Sequence, residues 1–259
     1  LMEVCRLRDT PIITFMNKFD RDAMDPFELL ENVEQICSIQ CVPMNWPVGD
    51  GVSFTGIYEF SKKKIKLFSK EIEQPGDIEE VDASNLDSQE LLTKIGEENI
   101  NKLKEDIELI TEMIPTLDQD EFLAGIQTPV FFGSALYSFG VSEMMKHLAI
   151  NAPGPTSKAA LEAPYDSSSK ELNISPSETQ FSGFIFKIQA NMDKNHRDRM
   201  AFLRVCSGVF KRNQKIHHTR TEKDIKIASP VFFQAKDRSL AEEAYPGDII
   251  GIHDTGKFQ

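Results

Sequence analysis

The chain has 259 residues and carries 29 Lys+Arg against 41 Asp+Glu, a formal net charge of −12. That acidic excess excludes a protein that coats nucleic acid over its whole surface, and no run approaches the roughly 20 apolar residues of a helical membrane span. Of the four cysteines only Cys37 and Cys41 lie close in sequence, with no second pair or adjacent histidine to complete a metal site. They read as free thiols of a soluble, cytoplasmic protein long enough for two cores.

Pro11–Met16 is an apolar run closed by the polar turn Asn17-Lys18-Phe19-Asp20, the pattern of a parallel strand buried on both faces. Asp25-Pro26 opens a helix over Phe27–Ser38, with Phe27, Leu30, Val33 and Ile36 or Cys37 at helical spacing. Cys41–Val48 reads as a strand and Phe54–Phe68 as a hairpin whose solvated turn is Ser61–Lys64. Leu91–Ile114 has the periodicity of one long amphipathic helix, along Leu92, Ile95, Ile100, Leu103, Ile107 and Ile110 or Ile114. Thr128–Phe132 is a second buried strand, running into Gly133-Ser134-Ala135-Leu136, and Phe139–Ile150 is again helical.

From Ala152 the composition changes. Residues 153–178 are rich in Ser, Pro and Ala and read as a linker. Short alternating runs follow at Phe181–Gln189, Arg199–Ser207, Lys215–Arg220, Ile225–Phe233 and Asp248–His253, the spacing of a small β-barrel. Charge divides at the same place: residues 179–259 hold 14 Lys+Arg against 9 Asp+Glu, a balance of +5, which leaves −17 on residues 1–178. A basic second domain on an acidic body suits a protein that docks one face on RNA, and a solvated basic surface would look similar. His196, Arg197 and Arg199 sit in the expected loop between the first two barrel strands, as contact candidates or as a plain charged hairpin loop.

The two strand ends carry the chemistry. Ligands of open α/β sheets bind beyond the carboxyl ends of the strands. There the Asp20 carboxylate can accept both N1–H and the exocyclic amine of guanine, a bidentate charge-assisted pair that adenine cannot make. The Lys18 stem can cover the base, and the Asn17 amide can donate to N7 or tie neighbouring loops together. Gly133 permits close backbone approach, and the Ala135 amide can donate to guanine O6. Each motif alone is weak; the pair in this order, with Ser134 and Leu136 completing the second loop, is specific.

At this point the chain resembles the translational GTPases, and among them the bacterial peptide chain release factor three group. Besides the two base-reading motifs, the resemblance rests on Leu1–Pro11 (LMEVCRLRDTP), Lys187–Asp193 (KIQANMD), His196–Arg199 (HRDR), Asp237–Ser239 (DRS) and Glu242–Asp248 (EEAYPGD). It implies a partial P-loop GTPase-type parallel sheet domain over 1–152, with an inserted α+β subdomain at about 48–125. After the linker would come a translation-factor domain-two β-barrel over 179–259, incomplete at its C-terminus. The resemblance further implies GTP or GDP with Mg²⁺ in the full factor, and the ribosome (small-subunit RNA and protein) and the codon-reading release factors as partners, with neither membrane nor DNA. Its function would be GTP hydrolysis that promotes departure of those release factors after termination.

A phosphate loop, both switches and the catalytic residues are expected upstream of Leu1. The near match Gly251-x4-Gly256-Lys257 lacks the following Ser or Thr and is rejected as a turn region. An elongation-factor-like GTPase and a non-catalytic ribosome- or protein-binding module remain as the alternatives.

Overall fold

The computed structural model describes residues 2–8, 10–49, 51–69, 78–162, 169–190, 199–234, 237–254, 256 and 258. Two units divide the chain, Leu1–Pro153 and Gly154–Gln259.

The first unit runs α1 (Met2–Arg6), β1 (Thr14–Met16), α2 (Pro26–Cys37), β2 (Gln40–Pro43), β3 (Asn45–Val48), β4 (Gly56–Glu59), β5 (Lys64–Leu67), β6 (Glu80–Asp82), α3 (Gln89–Ile95), α4 (Glu97–Met113), α5 (Gln119–Leu123), β7 (Gln127–Phe132) and α6 (Val141–Asn151). β1, β7 and β2 form a parallel sheet in that order, with Met16 level with Phe132 and Pro43 level with Val130. The strand expected over Pro11–Met16 is therefore shorter, and only Met16 is buried in it. Among the described residues β1 pairs with β7 alone, so it is an edge strand rather than a central one.

The run Cys41–Val48 is two strands rather than one. Met44 separates them and donates its N–H to Val130 O at 2.8 Å, after which β3 leaves the parallel sheet to begin the antiparallel meander β3-β4-β5-β6. The buried Asn45 then bonds the main chain of Phe132 in both directions: its Nδ2 donates to Phe132 O (3.1 Å) and its Oδ1 accepts from Phe132 N (2.7 Å). One amide thus satisfies two backbone groups and joins the meander to β7.

The helix expected over Leu91–Ile114 is broken into α3 and α4 at Gly96, whose φ of 90° no helix tolerates. Periodicity survived the break because both helices turn one stripe inward, in which Leu91, Ile95, Ile100, Leu103 and Ile110 are buried while the expected Leu92 and Ile107 are only partly so. α2 starts where expected, with the Asp25 carboxylate accepting from Phe27 N and Glu28 N and Pro26 in its first turn. The described residues of 48–125 share a core cluster with the parallel sheet, Ile57, Ile65 and Leu91 joining Phe19, Val130 and Phe132.

The second unit is antiparallel throughout: β8 (Lys158–Leu161), β9 (Glu171–Ile174), β10 (Ser182–Ala190), β11 (Arg199–Ser207), β12 (Phe210–Lys211), β13 (Lys215–His218), β14 (Lys223–Lys226), β15 (Val231–Gln234), β16 (Asp237–Leu240), β17 (Glu243–Ala244) and β18 (Ile249–His253). The expected linker contains a ladder, since β8 pairs β9 from Lys158↔Ile174 to Leu161↔Glu171. The run Ile225–Phe233 divides at residues 227–230, β14 pairing back on β13 and β15 joining the main sheet. That sheet has the order β10-β11-β18-β15-β16, flanked by the ladders β12–β17 and β13–β14. Among the described residues these ladders do not close into a ring. Ala201, Leu203, Val205, Phe210, Ile250 and Ile252 form the core on one face.

Candidate functional site at the strand ends

Two loops meet where β1 and β7 end side by side. They are laced by main-chain bonds, Gly133 N to Met16 O (3.0 Å) and Phe19 N to Gly133 O (3.2 Å). Gly133 is required here, since a Cβ would lie 2.2 Å from Phe139 O. The second loop closes on itself through Ser134 and Phe139, which exchange N–H···O bonds of 2.9 Å.

Asn17 joins the loops. Its Oδ1 accepts from the N–H of Lys18 (2.8 Å) and from the N–H of Ala135 (2.9 Å). Of the two roles open to Asn17 in the sequence, the structure shows the loop tie. The Ala135 N–H is consequently engaged, and a base could use it only by sharing it with Asn17. Lys18 holds a φ of 76°, a left-handed turn residue that is not glycine. Such a conformation costs on the order of 1 kcal/mol or more and persists only when surrounding bonds dictate it.

Asn17, Lys18, Asp20, Arg21, Ser134 and Leu136 line a cavity of about 220 Å³. The Asp20 side chain is only 6% exposed, with Arg21 Nε 3.8 Å from its Oδ2, and Leu136 is 70% exposed at the mouth. Ser134 is fully buried, and its Oγ has no hydrogen-bond partner among the described residues. A buried hydroxyl left unsatisfied is costly and marks a place where a ligand atom would be welcome. The cavity thus brings together a carboxylate, a cationic stem, an exposed apolar side chain and a buried hydroxyl. Arg21 was not singled out from the sequence; its place beside Asp20 was the available signal. Among the described residues no His, Cys, Asp or Glu group could hold a metal ion.

Behind the second loop, His147 of α6 packs edge-on against Phe122 and Phe131. Asn151 Nδ2 lies 3.2 Å from the His147 Nδ1, while the ring's Nε2 is buried with no partner among the described residues. Burial lowers its pKa from the ordinary histidine value. A depressed folded-state pKa means the neutral ring belongs to the folded form, so this contribution is present above the unfolded value near 6.5 and lost as pH falls through the folded one. His147→Phe is expected to flatten the pH dependence of unfolding free energy below pH ~6.5. Urea titrations of both proteins across that range check it, and parallel curves would reject the role.

The loop candidates on the second unit divide. His196 and Arg197 lie outside the described residues. Arg199 is placed: its Nη2 lies 2.9 Å from Oδ2 of Asp254, whose side chain is fully buried. Asp254 also accepts from Gly256 N (2.8 Å) and Phe258 N (3.1 Å), so this ion pair gathers the end of the chain against β11. No helix among the described residues is long and apolar enough to cross a membrane.

Comparison with known proteins bears on both units. Residues 180–259 match the family model of elongation factor G domain 2. A crystal structure of a protein from Thermus thermophilus matches with a TM-score of 0.63 and 17% identity, over 99% of this chain and 36% of that one. This chain thus spans about a third of the length of that protein, and at such identity the likeness concerns fold alone. Residues 180–259 accordingly carry the elongation factor G second-domain pattern, within a chain that combines a parallel α/β sheet with antiparallel β structure.

Proposed function

We propose that this chain is the base-reading part and second domain of a ribosome-dependent GTPase of translation, acting at termination to release the codon-reading factors. The observation that carries the nucleotide assignment is the Asn17 bridge to Ala135, which sets the Asp20 and Ser134 loops around one cavity. The match of residues 180–259 to elongation factor G domain 2 supports the translational setting. The finer assignment to termination rests on the sequence segments quoted above. The same family match favours a second reading, an elongation-factor-like GTPase.

In the full factor Asp20 holds the guanine edge, Lys18 and Leu136 flank its faces, and Asn17 keeps the two loops in register. When bound, GTP and Mg²⁺ would supply the reacting phosphates and their charge neutralisation. Ribosome contact falls to the basic second domain, with His196 and Arg197, which lie outside the described residues, as its sequence candidates. Arg199 joins them only with the part of its guanidinium not held by Asp254.

The 259-residue chain alone is expected to bind GDP weakly and to hydrolyse no GTP, since phosphate and Mg²⁺ contacts supply much of the affinity and the transition-state electrostatics. Calorimetric titration with GDP and a single-turnover hydrolysis assay with ribosomes measure both. Micromolar binding or catalysis by this piece would overturn the division of labour. In the full factor, displacement of release factors from post-termination ribosomes, compared with ribosome translocation, separates the two readings.

A further inference from the structure

The fold nearly closes off the Asp20 carboxylate, its side chain only 6% exposed, yet that carboxylate accepts no hydrogen bond from the described residues. An anion removed from water in this way needs donors or a counter-charge. Among the described residues one cation stands within ion-pair distance: Arg21, with its Nε 3.8 Å from Asp20 Oδ2. That separation is too long for a hydrogen bond. The contact is therefore electrostatic, and the lone pairs of both carboxylate oxygens stay open.

Arg21 is fixed by its main chain rather than by its side chain. Its N–H donates to Lys18 O at 3.1 Å, closing the turn that begins at the left-handed Lys18. The guanidinium makes no other ion pair or hydrogen bond among the described residues, and the side chain is 68% exposed. Asp20 and Arg21 line the same cavity. A base that brings two N–H donors to Asp20 must reach both carboxylate oxygens through that cavity, and one of them is the oxygen the guanidinium faces. An exposed guanidinium yields such a contact at small cost, because water replaces it. Lys18, the other cation of the cavity, forms no ion pair with Asp20 and needs no such displacement.

We infer that Arg21 is the counter-ion of Asp20 in the empty site and withdraws into solvent when a guanine base enters. It competes with the base instead of holding it: the pair stabilises the empty cavity and is broken in the filled one. This inference rests on the guanine reading of the cavity and adds a residue that limits affinity there.

Guanosine and adenosine, which carry no phosphate, isolate the base step. Saturation-transfer NMR titrations of the 259-residue chain compare low salt with about 1 M salt, where the screening length falls to about 3 Å. The parent should prefer guanosine to adenosine and bind guanosine more tightly at high salt, as screening loosens Arg21 from Asp20. Arg21→Gln should bind guanosine about two- to fivefold more tightly than the parent at low salt, the range that an exposed ion pair spans. It should also lose the salt dependence, whereas Arg21→Lys, which keeps the charge, should retain it.

Equal or weaker guanosine binding by Arg21→Gln, with guanosine still preferred to adenosine, would overturn the counter-ion role alone. So would a salt response that the parent and Arg21→Gln share. A parent that binds both nucleosides alike, or neither, would overturn the guanine reading and this inference together.

Discussion

Lys66→Met is expected to cost the first unit about 3–5 kcal/mol of stability, the scale of leaving a buried charge without its partner. Lys66 of β5 and Glu143 of α6 have side chains 5% and 4% exposed and form an ion pair. Glu59 Oε2 (3.6 Å) and Glu80 Oε1 (3.4 Å) stand near the same ammonium, and Ser142 Oγ donates to Glu143 Oε1 at 2.9 Å. Burial alone would lower the Lys66 pKa, but the Glu143 bond and the surrounding carboxylates raise it. Burial alone would raise the Glu143 pKa, and Lys66 pulls it below the usual carboxylate value.

Both directions favour the charged pair, so methionine at 66 leaves Glu143 and Glu59 buried together. The double variant Lys66→Met with Glu143→Met should recover most of the loss, because two apolar groups replace two matched charges. Urea unfolding at neutral pH measures both proteins. A single variant within about 0.5 kcal/mol of the parent, the range of an ordinary surface change, would show that the cluster does not hold the meander to α6.

Asp20→Asn in the full factor is expected to weaken guanine nucleotide binding by about 2–5 kcal/mol, the scale of a truncated buried charge pair. It should also shift preference toward xanthine nucleotides, because an amide donor now faces a base that offers an acceptor where guanine has its amine. The near-complete burial of the Asp20 side chain puts this exchange in a place where water cannot compensate. Competition between GDP and XDP in a filter-binding assay measures the ratio. Retained guanine preference would make Asp20 a turn residue held by Arg21 and nothing more.

Local signals carried much of the architecture. The Asp25 cap, the hairpin at 56–67, the strand at 127–132 and the strand at 199–207 stand where residue pattern placed them, because each is specified by its own alternation, cap or turn chemistry. Asn17, Asp20 and Ser134 could be nominated as one site because two strand-end motifs occurred in order along the chain.

Tertiary structure decided what periodicity cannot encode. A glycine at φ 90° between two in-phase apolar stripes is invisible to a helical count, so α3 and α4 looked like one helix. Met44 lies inside an apolar run, and only its bond to Val130 shows where one sheet hands the chain to another. The β8–β9 ladder arises in a segment poor in large apolar residues, where main-chain pairing supplies order that side chains do not announce. The same is true of the partners of long-range polar groups. That Lys66 meets Glu143, Arg199 meets Asp254 and Asn17 meets the Ala135 amide depends on which strand ends and helices become neighbours. Sequence names the groups that can bond, whereas folding brings distant ones within the few ångströms over which a hydrogen bond or a buried charge pair acts.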